Sequence, residues 1–282
     1  MKKGLILEGG AMRGLFTAGV MDVLMEAGIE FDGVIGVSAG ACFGCNYKSG
    51  QIGRVLRYNL RFAGDRRYSG IGCLLREGNL YSTSFCYDEV PLKHDPFDFE
   101  AFGSNPMEFW VVATDVETGK PVYHRYEGLE DHGFDWIRAS ASMPLVSQIV
   151  EIDGQKLLDG GISDSVPVEF FESLGYDRNV VILTQPLEYR KEKNPLIPLM
   201  RAKYRKYPAM VDTMARRHTD YNRCLDRIAQ RERLGELLVI RPAGKLDIGK
   251  TEKNPEKLRA VYEQGREAAL RRLEEIREYL SV

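Results

Sequence analysis

Apolar runs alternate with helical patterns along the first fifty residues. Gly4 to Glu8 is a short apolar run followed by glycines, and residues 14–27 then place mostly apolar side chains on one helical face. The same order returns where the apolar run 31–37 is followed by residues 39–47, which contain no proline. Two successive units of strand, turn and helix predict a parallel sheet, because parallel strands need a crossover connection.

The rest of the chain continues this alternation up to about residue 185. Asp153-Gly154 lies between two apolar runs and predicts a β-hairpin whose second strand ends near Asp159. The segment 64–79, rich in Gly and Arg, is expected to be irregular. Further strands are predicted at 109–114, 122–126, 148–152, 155–158, 179–184 and 237–240, and further helices at 51–62, 136–142, 168–174 and about 255–280.

These elements predict an α/β fold, a three-layer sandwich with a mainly parallel central sheet and a helical extension after it. Beyond Pro186 the composition shifts to Lys, Arg and Tyr interleaved with Leu and Met. We therefore divide the chain into a first domain, 1–190, and a mostly helical extension, 191–282. The extension either packs on the first domain or completes it through the strand 237–240.

A GxSxG pattern, Gly36-Val37-Ser38-Ala39-Gly40, follows the second predicted strand and opens a helix. Gly36 and Gly40 allow the sharp strand-to-helix turn that lifts a serine hydroxyl clear of the sheet. The helix N-terminus favours negative charge beside Ser38. Ser38 is therefore the candidate nucleophile, and it needs a base to take its proton.

The residues alone leave two candidate bases. Of the four histidines, only His218 follows Asp159, as the order Ser, acid, His of an α/β-hydrolase triad requires. His218 lies in the basic stretch 215–219, which is typical of a solvated helix face. Asp159-Gly160-Gly161 offers a carboxylate at the end of a hairpin strand, where two glycines permit close approach of another backbone or a substrate.

The first glycine loop, after the first predicted strand, supplies backbone N–H groups that can stabilise an oxyanion. Its residues are Gly9, Gly10, Ala11, Met12, Arg13 and Gly14. The alternative is a dinucleotide-binding loop. The second glycine of that fingerprint is replaced by Ala11, and Asp32 precedes a strand where the fingerprint has an acid at a strand end.

The glycine loop, the GxSxG and Asp159-Gly160-Gly161, in this order and spacing, resemble the patatin-like phospholipases, serine lipid acyl hydrolases with a Ser-Asp dyad. The resemblance covers roughly residues 4–185 and includes the segments 139–144 and 113–115. It implies Ser38 as nucleophile, Asp159 as base and an oxyanion hole around the glycine loop, with neither a metal nor an organic cofactor. Ala11 departs from the family, which commonly has a third glycine there.

What the resemblance implies is a hydrolase of lipid acyl esters, of the phospholipase A or lysophospholipase type. Two alternatives remain, a Ser-Asp-His esterase that uses His218 and a non-catalytic or nucleotide-binding α/β module. With 282 residues, 44% apolar and 28% charged, the chain is of ordinary globular composition. No apolar run suits a signal or a membrane span, so we expect a cytoplasmic protein.

The charge distribution and the cysteines add little to the predicted fold and function. The net charge of −2 argues against nucleic acid as a partner, although 190–233 holds thirteen Lys or Arg and five acids. Within it, Leu196, Met200, Tyr204 and Tyr207 recur at helical spacing. That face either packs on its own domain or contacts the inner face of the membrane. Cys42 and Cys45 form a lone CxxC, which we interpret as core.

Overall fold

The structure is a computed structural model that describes residues 1–281. Within those residues, one mixed sheet holds every named strand, in the order β5-β6-β3-β2-β1-β7-β8, with β4 paired to β3. Neighbours from β3 to β8 along this order are parallel, whereas β4, β5 and β6 pair antiparallel. The strands are β1 (Lys2–Leu7), β2 (Gly33–Val37), β3 (Glu108–Asp115), β4 (Pro121–Arg125), β5 (Val150–Ile152), β6 (Gln155–Asp159), β7 (Tyr176–Ile182) and β8 (Leu237–Ile240).

Helices cover both faces of the sheet. On the central strands, successive buried side chains point to opposite layers: Leu5 and Leu7 pack in one core cluster and Ile6 in another. The predicted three-layer α/β sandwich with a mainly parallel sheet is confirmed. The helices are α1 (Gly14–Glu26), α2 (Ala39–Lys48), α3 (Arg54–Phe62), α4 (Ile71–Glu77), α5 (Phe99–Ser104), α6 (Asp135–Ser140), α7 (Val168–Ser173), α8 (Ile197–Lys203), α9 (Pro208–Arg233), α10 (Pro255–Arg271) and α11 (Leu273–Ser281).

The C-terminal segment joins the main sheet. β8 pairs in parallel with β7, in the register Asn179 with Leu237. α10 crosses α1 so closely that a Cβ added to Gly19 or to Gly265 would lie 2.0 Å from a carbonyl oxygen of the other helix. The segment 191–282 thus adds a strand to the main sheet and packs a helix on α1.

Three predicted segments differ from the structure. The stretch 64–79 was expected to be irregular, but it contains α4, whose end is capped by Gly78 in a left-handed conformation. Residues 84–94, for which no element was predicted, form a π-helical run. The single helix expected at about 255–280 breaks at Arg272, whose guanidinium donates to the carbonyl oxygen of Val239 on β8.

The basic stretch 190–233 is partly covered by its own domain. Met200 on α8 and Tyr204 are 2% and 6% exposed and pack with the first turns of α9. Leu196 and Leu199 are about half exposed on the other side. No helix within residues 1–281 is both long and apolar enough to cross a membrane.

Candidate active site

Ser38 stands at a strained turn between β2 and α2. Its backbone has φ 55° and ψ −120°, a conformation that a residue with a side chain rarely adopts and that the neighbouring structure must impose. A Cβ on Gly40 would lie 2.4 Å from the carbonyl oxygen of Leu7, and one on Gly36 would lie 2.5 Å from that of Gly40. The two glycines therefore let α2 start against the ends of β1 and β2, which is the geometry of a nucleophile elbow.

The backbone N–H of Ser38 is held by a neighbouring serine. It donates to Oγ of Ser140 at 2.8 Å, and Ser140 is fully buried at the end of α6. Ser142, two residues on, accepts the N–H of Asp159 through its carbonyl oxygen at 2.9 Å. The segment 140–142 therefore contacts both candidate residues and fixes their backbones relative to each other.

Asp159 ends β6 and is 1% exposed. Its Oδ1 accepts the N–H of Gly161 at 2.7 Å. Its Oδ2 is buried and receives no complete hydrogen bond from residues 1–281, although the Ser38 hydroxyl is near enough to influence its ionisation. Burial raises the pKa of the carboxyl above its ordinary value, against the opposing effects of the Ser38 hydroxyl and the Arg217 charge.

A carboxylate with a raised pKa is a stronger base than an exposed one. Its free oxygen and the nearby hydroxyl are the arrangement that a proton transfer from serine requires. The structure thus brings Ser38 and Asp159 together from segments that are far apart in the sequence.

The glycine loop lies beside the same serine. A Cβ on Gly9 would lie 2.8 Å from Cβ of Ser38, so only a glycine lets this backbone pass so close. The N–H groups of Gly10 and Ala11 donate to no acceptor within the described part of the chain. Met12 is buried, and the loop continues as a short 3-10 turn through Arg13 into α1, which begins at Gly14.

Ala11 adopts the conformation that its side chain disfavours. Its φ is 49°, in the left-handed region where glycine is the usual residue. The departure from the family pattern therefore leaves the loop conformation in place, at a cost of about 1–2 kcal/mol for an L-residue with a side chain.

A cavity of about 720 Å³ opens next to Ser38. Ala11, Met12 and Ala39 line it close to the serine, and Met200 and Met214 line it farther away. A cavity of this size and mixed apolar lining suits a medium-sized organic ligand. Asp159 does not line it and is buried behind its wall.

His218 also lines the cavity, but its hydrogen bonds are local to α9. Its Nδ1 lies 3.1 Å from the carbonyl oxygen of Ala215, and its Nε2 lies 3.3 Å from the hydroxyl of Thr219. No hydrogen bond within residues 1–281 joins it to Ser38 or Asp159. The structure brings the serine together with the aspartate and leaves this histidine apart from both.

Cys42 and Cys45 are unpaired by disulfide. Burial raises the pKa of each thiol to about 12, so neither is a thiolate at neutral pH. No group of three or more His, Cys, Asp or Glu within the described chain could hold a metal ion.

Sequence reasoning missed the cations around this site. Arg217 on α9 donates through Nε to the carbonyl oxygen of Gly161, and its charge lowers the pKa of Asp159. Lys250 acts on the same carboxyl, and Lys191 lines the cavity with both. In the sequence these residues resemble ordinary solvated charges. Only Arg217 could have been noticed, because it directly precedes His218, the one histidine considered as a base.

A serine on a strand-to-helix elbow in a three-layer α/β fold is the arrangement found in serine hydrolases of the α/β type. Residues 5–171 match the family model of the patatin-like phospholipases, and residues 207–281 match a domain of unknown function, DUF6363. The first match covers more than half of the chain, and the chain therefore belongs to the patatin-like phospholipase family. Membership supports a hydrolase of lipid acyl esters.

Similar proteins align over about two thirds of the chain. The uncharacterized protein YjjU of Escherichia coli (strain K12) is 33% identical over 64% of this chain and 52% of its own length. Lysophospholipase nte1 of Aspergillus oryzae is 30% identical over 62% of this chain and 11% of its own length. The alignments thus span about half of the bacterial relative and about a tenth of the fungal one. VipD from Legionella pneumophila superposes with a TM-score of 0.49 at 14% identity, over 97% of this chain and 67% of VipD.

Proposed function

We propose that this protein hydrolyses lipid acyl esters through an acyl-serine intermediate, with Ser38 as nucleophile and Asp159 as general base. The activity is of the phospholipase A or lysophospholipase type. The observation that supports the proposal most is the strained elbow serine beside a buried carboxylate with one free oxygen. A lysophospholipase among the relatives and a largely apolar cavity support a lipid as the substrate.

The chemistry needs these two side chains, two amides and water. Ser38 Oγ attacks the ester carbonyl carbon as its proton moves to Oδ2 of Asp159. The N–H groups of Gly10 and Ala11 stabilise the oxyanion, a contribution of about 3–4 kcal/mol per donor in known hydrolases. The carboxyl then protonates the leaving alkoxide, which departs as the alcohol.

Deacylation repeats these steps with water as the nucleophile. Asp159 accepts the proton of the attacking water, and the acyl–oxygen bond to Ser38 breaks. The serine oxygen recovers its proton from the carboxyl, and the fatty acid is released. One ester and one water therefore give one acid and one alcohol, with the enzyme unchanged.

A Ser-Asp-His mechanism is the alternative for the same activity, because His218 lines the same cavity. Its local hydrogen bonds to Ala215 and Thr219 favour a non-catalytic role. The His218→Ala variant distinguishes the two, since a triad loses turnover in it and a Ser-Asp dyad does not.

Contact with an anionic lipid surface through the stretch 190–233 belongs to the same proposal. Leu196, which lines the cavity, and Leu199 are about half exposed and are close in sequence to Arg201 and Lys203. Cosedimentation with vesicles that contain anionic lipid tests this contact. We expect binding that weakens with salt and in the double variant Leu196→Ser/Leu199→Ser, and equal binding of that variant would contradict it.

Covalent labelling tests the nucleophile directly. The parent, Ser38→Ala and Asp159→Asn are treated with a fluorophosphonate, and intact mass is measured over time. We expect a single adduct on the parent, none on Ser38→Ala, and a much slower reaction of Asp159→Asn. The exposed Ser104→Ala variant is the control and should label like the parent. An adduct that persists in Ser38→Ala would exclude this serine as the nucleophile.

A further inference from the structure

Five Lys or Arg side chains of the C-terminal third line the cavity that holds Ser38, and among them the charges of Arg217 and Lys250 lower the pKa of Lys191. Lys191 follows β7, Arg217 lies on α9 and Lys250 lies in the loop between β8 and α10. All three line the cavity, and all lie outside residues 5–171, which match the family model. They form a group that the family motifs do not include, and we call it the basic cluster.

The basic cluster has no carboxylate within 4.0 Å in residues 1–281. The Lys191 ammonium lies over the ring of Tyr221, 4.3 Å from its centroid, and makes no ion pair there. Arg217 donates through Nε to the carbonyl oxygen of Gly161, and its two terminal NH2 groups have no hydrogen-bond acceptor among residues 1–281. The adjacent Arg190, in contrast, pairs with Asp226 at 2.7 Å.

Contacts with α9 hold both the backbone and the side chain of Lys191 beside the cavity, since its ammonium lies over Tyr221 of that helix. Its N–H donates to Oδ1 of Asn222 at 2.8 Å, and its carbonyl oxygen accepts from Nδ2 of the same side chain at 3.0 Å. Arg217 lies on the same helix as Asn222, nearer its N-terminus. α9 therefore positions two of the three cations.

The other two cations of the cluster lie close enough to Lys191 to lower its pKa. Burial, followed by the charges of Arg217, Arg13 and Lys250, lowers the pKa of Lys191 to about 8. Glu8 opposes them, but its carboxylate is bonded to Thr184 and Tyr221. Arg217 and Lys250 also act on the buried Asp159 carboxyl, but neither forms an ion pair with it. Like charges gathered at a cavity with no ion-pair partner in residues 1–281 favour an anionic ligand.

We propose that the basic cluster binds the phosphate of a phosphate-bearing acylglycerol while the ester lies at Ser38. This proposal rests on the proposed function and names the substrate class of that site. Arg217 can present two N–H groups to phosphate oxygens, and the lysines add point charges. The glycerol backbone is short, so the ester and the phosphate of one lipid fit in the same cavity. Apolar lining side chains such as Met200 and Met214 can then contact the acyl chain. Glu192 lines the same cavity, and its exposure lets it stay in solvent.

The test measures binding without hydrolysis. In the Ser38→Ala full chain, titration calorimetry compares a lysophosphatidate with the monoacylglycerol of the same acyl chain, both below their aggregation concentrations. We expect the phosphate to strengthen binding at least about tenfold, because hydrogen bonds to charged groups are the strong ones. Lys191→Gln and Lys250→Gln should each reduce this preference about tenfold. Lys191→Arg should retain it, and Lys245→Gln, at an exposed lysine outside the cavity, is the matched control.

Equal affinity for the two lipids, or a preference that both glutamine variants retain, overturns the proposal. Glycerol 3-phosphate is titrated in parallel. If it binds as tightly as the lysophosphatidate and depends on the same lysines, the anion subsite stands and its occupant is a soluble phosphate ester, which overturns the lipid assignment. Because Ser38 is absent from these proteins, failure of the proposed hydrolysis appears separately, as absence of fluorophosphonate labelling in the parent.

Discussion

Replacing Asp159 by asparagine should raise stability and lower turnover together. The carboxylate is 1% exposed, and burial raises its pKa more than the Ser38 hydroxyl, the Arg217 charge and the Gly161 N–H lower it. The ionised form is therefore less favourable in the folded protein than in the unfolded chain. Asparagine keeps the shape and the acceptor for Gly161 but carries no charge, so it removes this penalty.

We expect Asp159→Asn to increase the free energy of unfolding by about 1 kcal/mol, which raises Tm by about 2–4 °C for a chain of this size. The sign of the pH dependence follows from the raised pKa. At pH values below the unfolded pKa both states are protonated and the parent has no penalty. The penalty develops as pH rises through the raised folded pKa, so the advantage of the variant should grow across that range and then level off.

Turnover should fall about 10²–10⁴-fold in the same variant, the usual contribution of a positioned general base. For the parent, kcat/KM should rise with pH through the raised pKa of Asp159, because only the carboxylate accepts the serine proton. Thermal unfolding and hydrolysis of a short-chain ester, both followed across pH, measure the two effects.

Asp164→Asn is the matched control. Asp164 is partly buried with a raised pKa and accepts the Tyr123 hydroxyl at 2.7 Å, and the Ser38 hydroxyl does not act on its carboxyl, so turnover should persist. If Asp159→Asn is less stable than the parent at every pH, Arg217 and Gly161 outweigh burial and the reasoning is wrong. Parent-like turnover in Asp159→Asn would refute its role as base.

Three further variants test the remaining parts of the site. Ala11→Gly relieves the positive φ and should stabilise by up to about 1 kcal/mol with activity retained; a lower Tm in thermal unfolding would contradict the strain. Ser140→Ala removes the acceptor of the Ser38 N–H and should slow fluorophosphonate labelling about tenfold while the fold persists, as circular dichroism can check. His218→Ala should keep turnover within a few-fold of the parent, and a loss beyond about a hundredfold in steady-state assays would restore the triad.

The local sequence predicted most of the sheet and the elements next to the site. Alternating buried residues in β1 and the hairpin at Asp153-Gly154 depend on neighbours in the sequence, and so does the turn around Ser38. Each is set by short-range sterics and side-chain periodicity. The meeting of Ser38 with Asp159 is a long-range contact, and it was expected through the family resemblance and not from periodicity.

The basic cluster was not predictable in this way. Lys191, Arg217 and Lys250 stand in charge-rich surroundings where most neighbours are solvated or paired. What distinguishes them is the direction that α9 and the sheet give them, toward a cavity formed mainly by other segments. Only the tertiary structure shows that these three charges lie at one cavity. The break at Arg272 is similar, since it coincides with a contact to Val239 on a distant strand.

The boundary that we predict near residue 190 follows a change in composition, and the sheet continues beyond it. β7 pairs with β8 along its outer edge, so residues 1–190 alone would end in an exposed parallel strand with its hydrogen-bonding groups unpaired. Tyr221, Leu225 and Ile228 of α9 cover one face of the sheet, and the Tyr221 hydroxyl donates to the buried Glu8 at the end of β1. The same helix carries Arg217 to the backbone beside Asp159. The segment that completes the core is thus the one that adds charge to the site, which joins folding of the C-terminal third to the proposed chemistry.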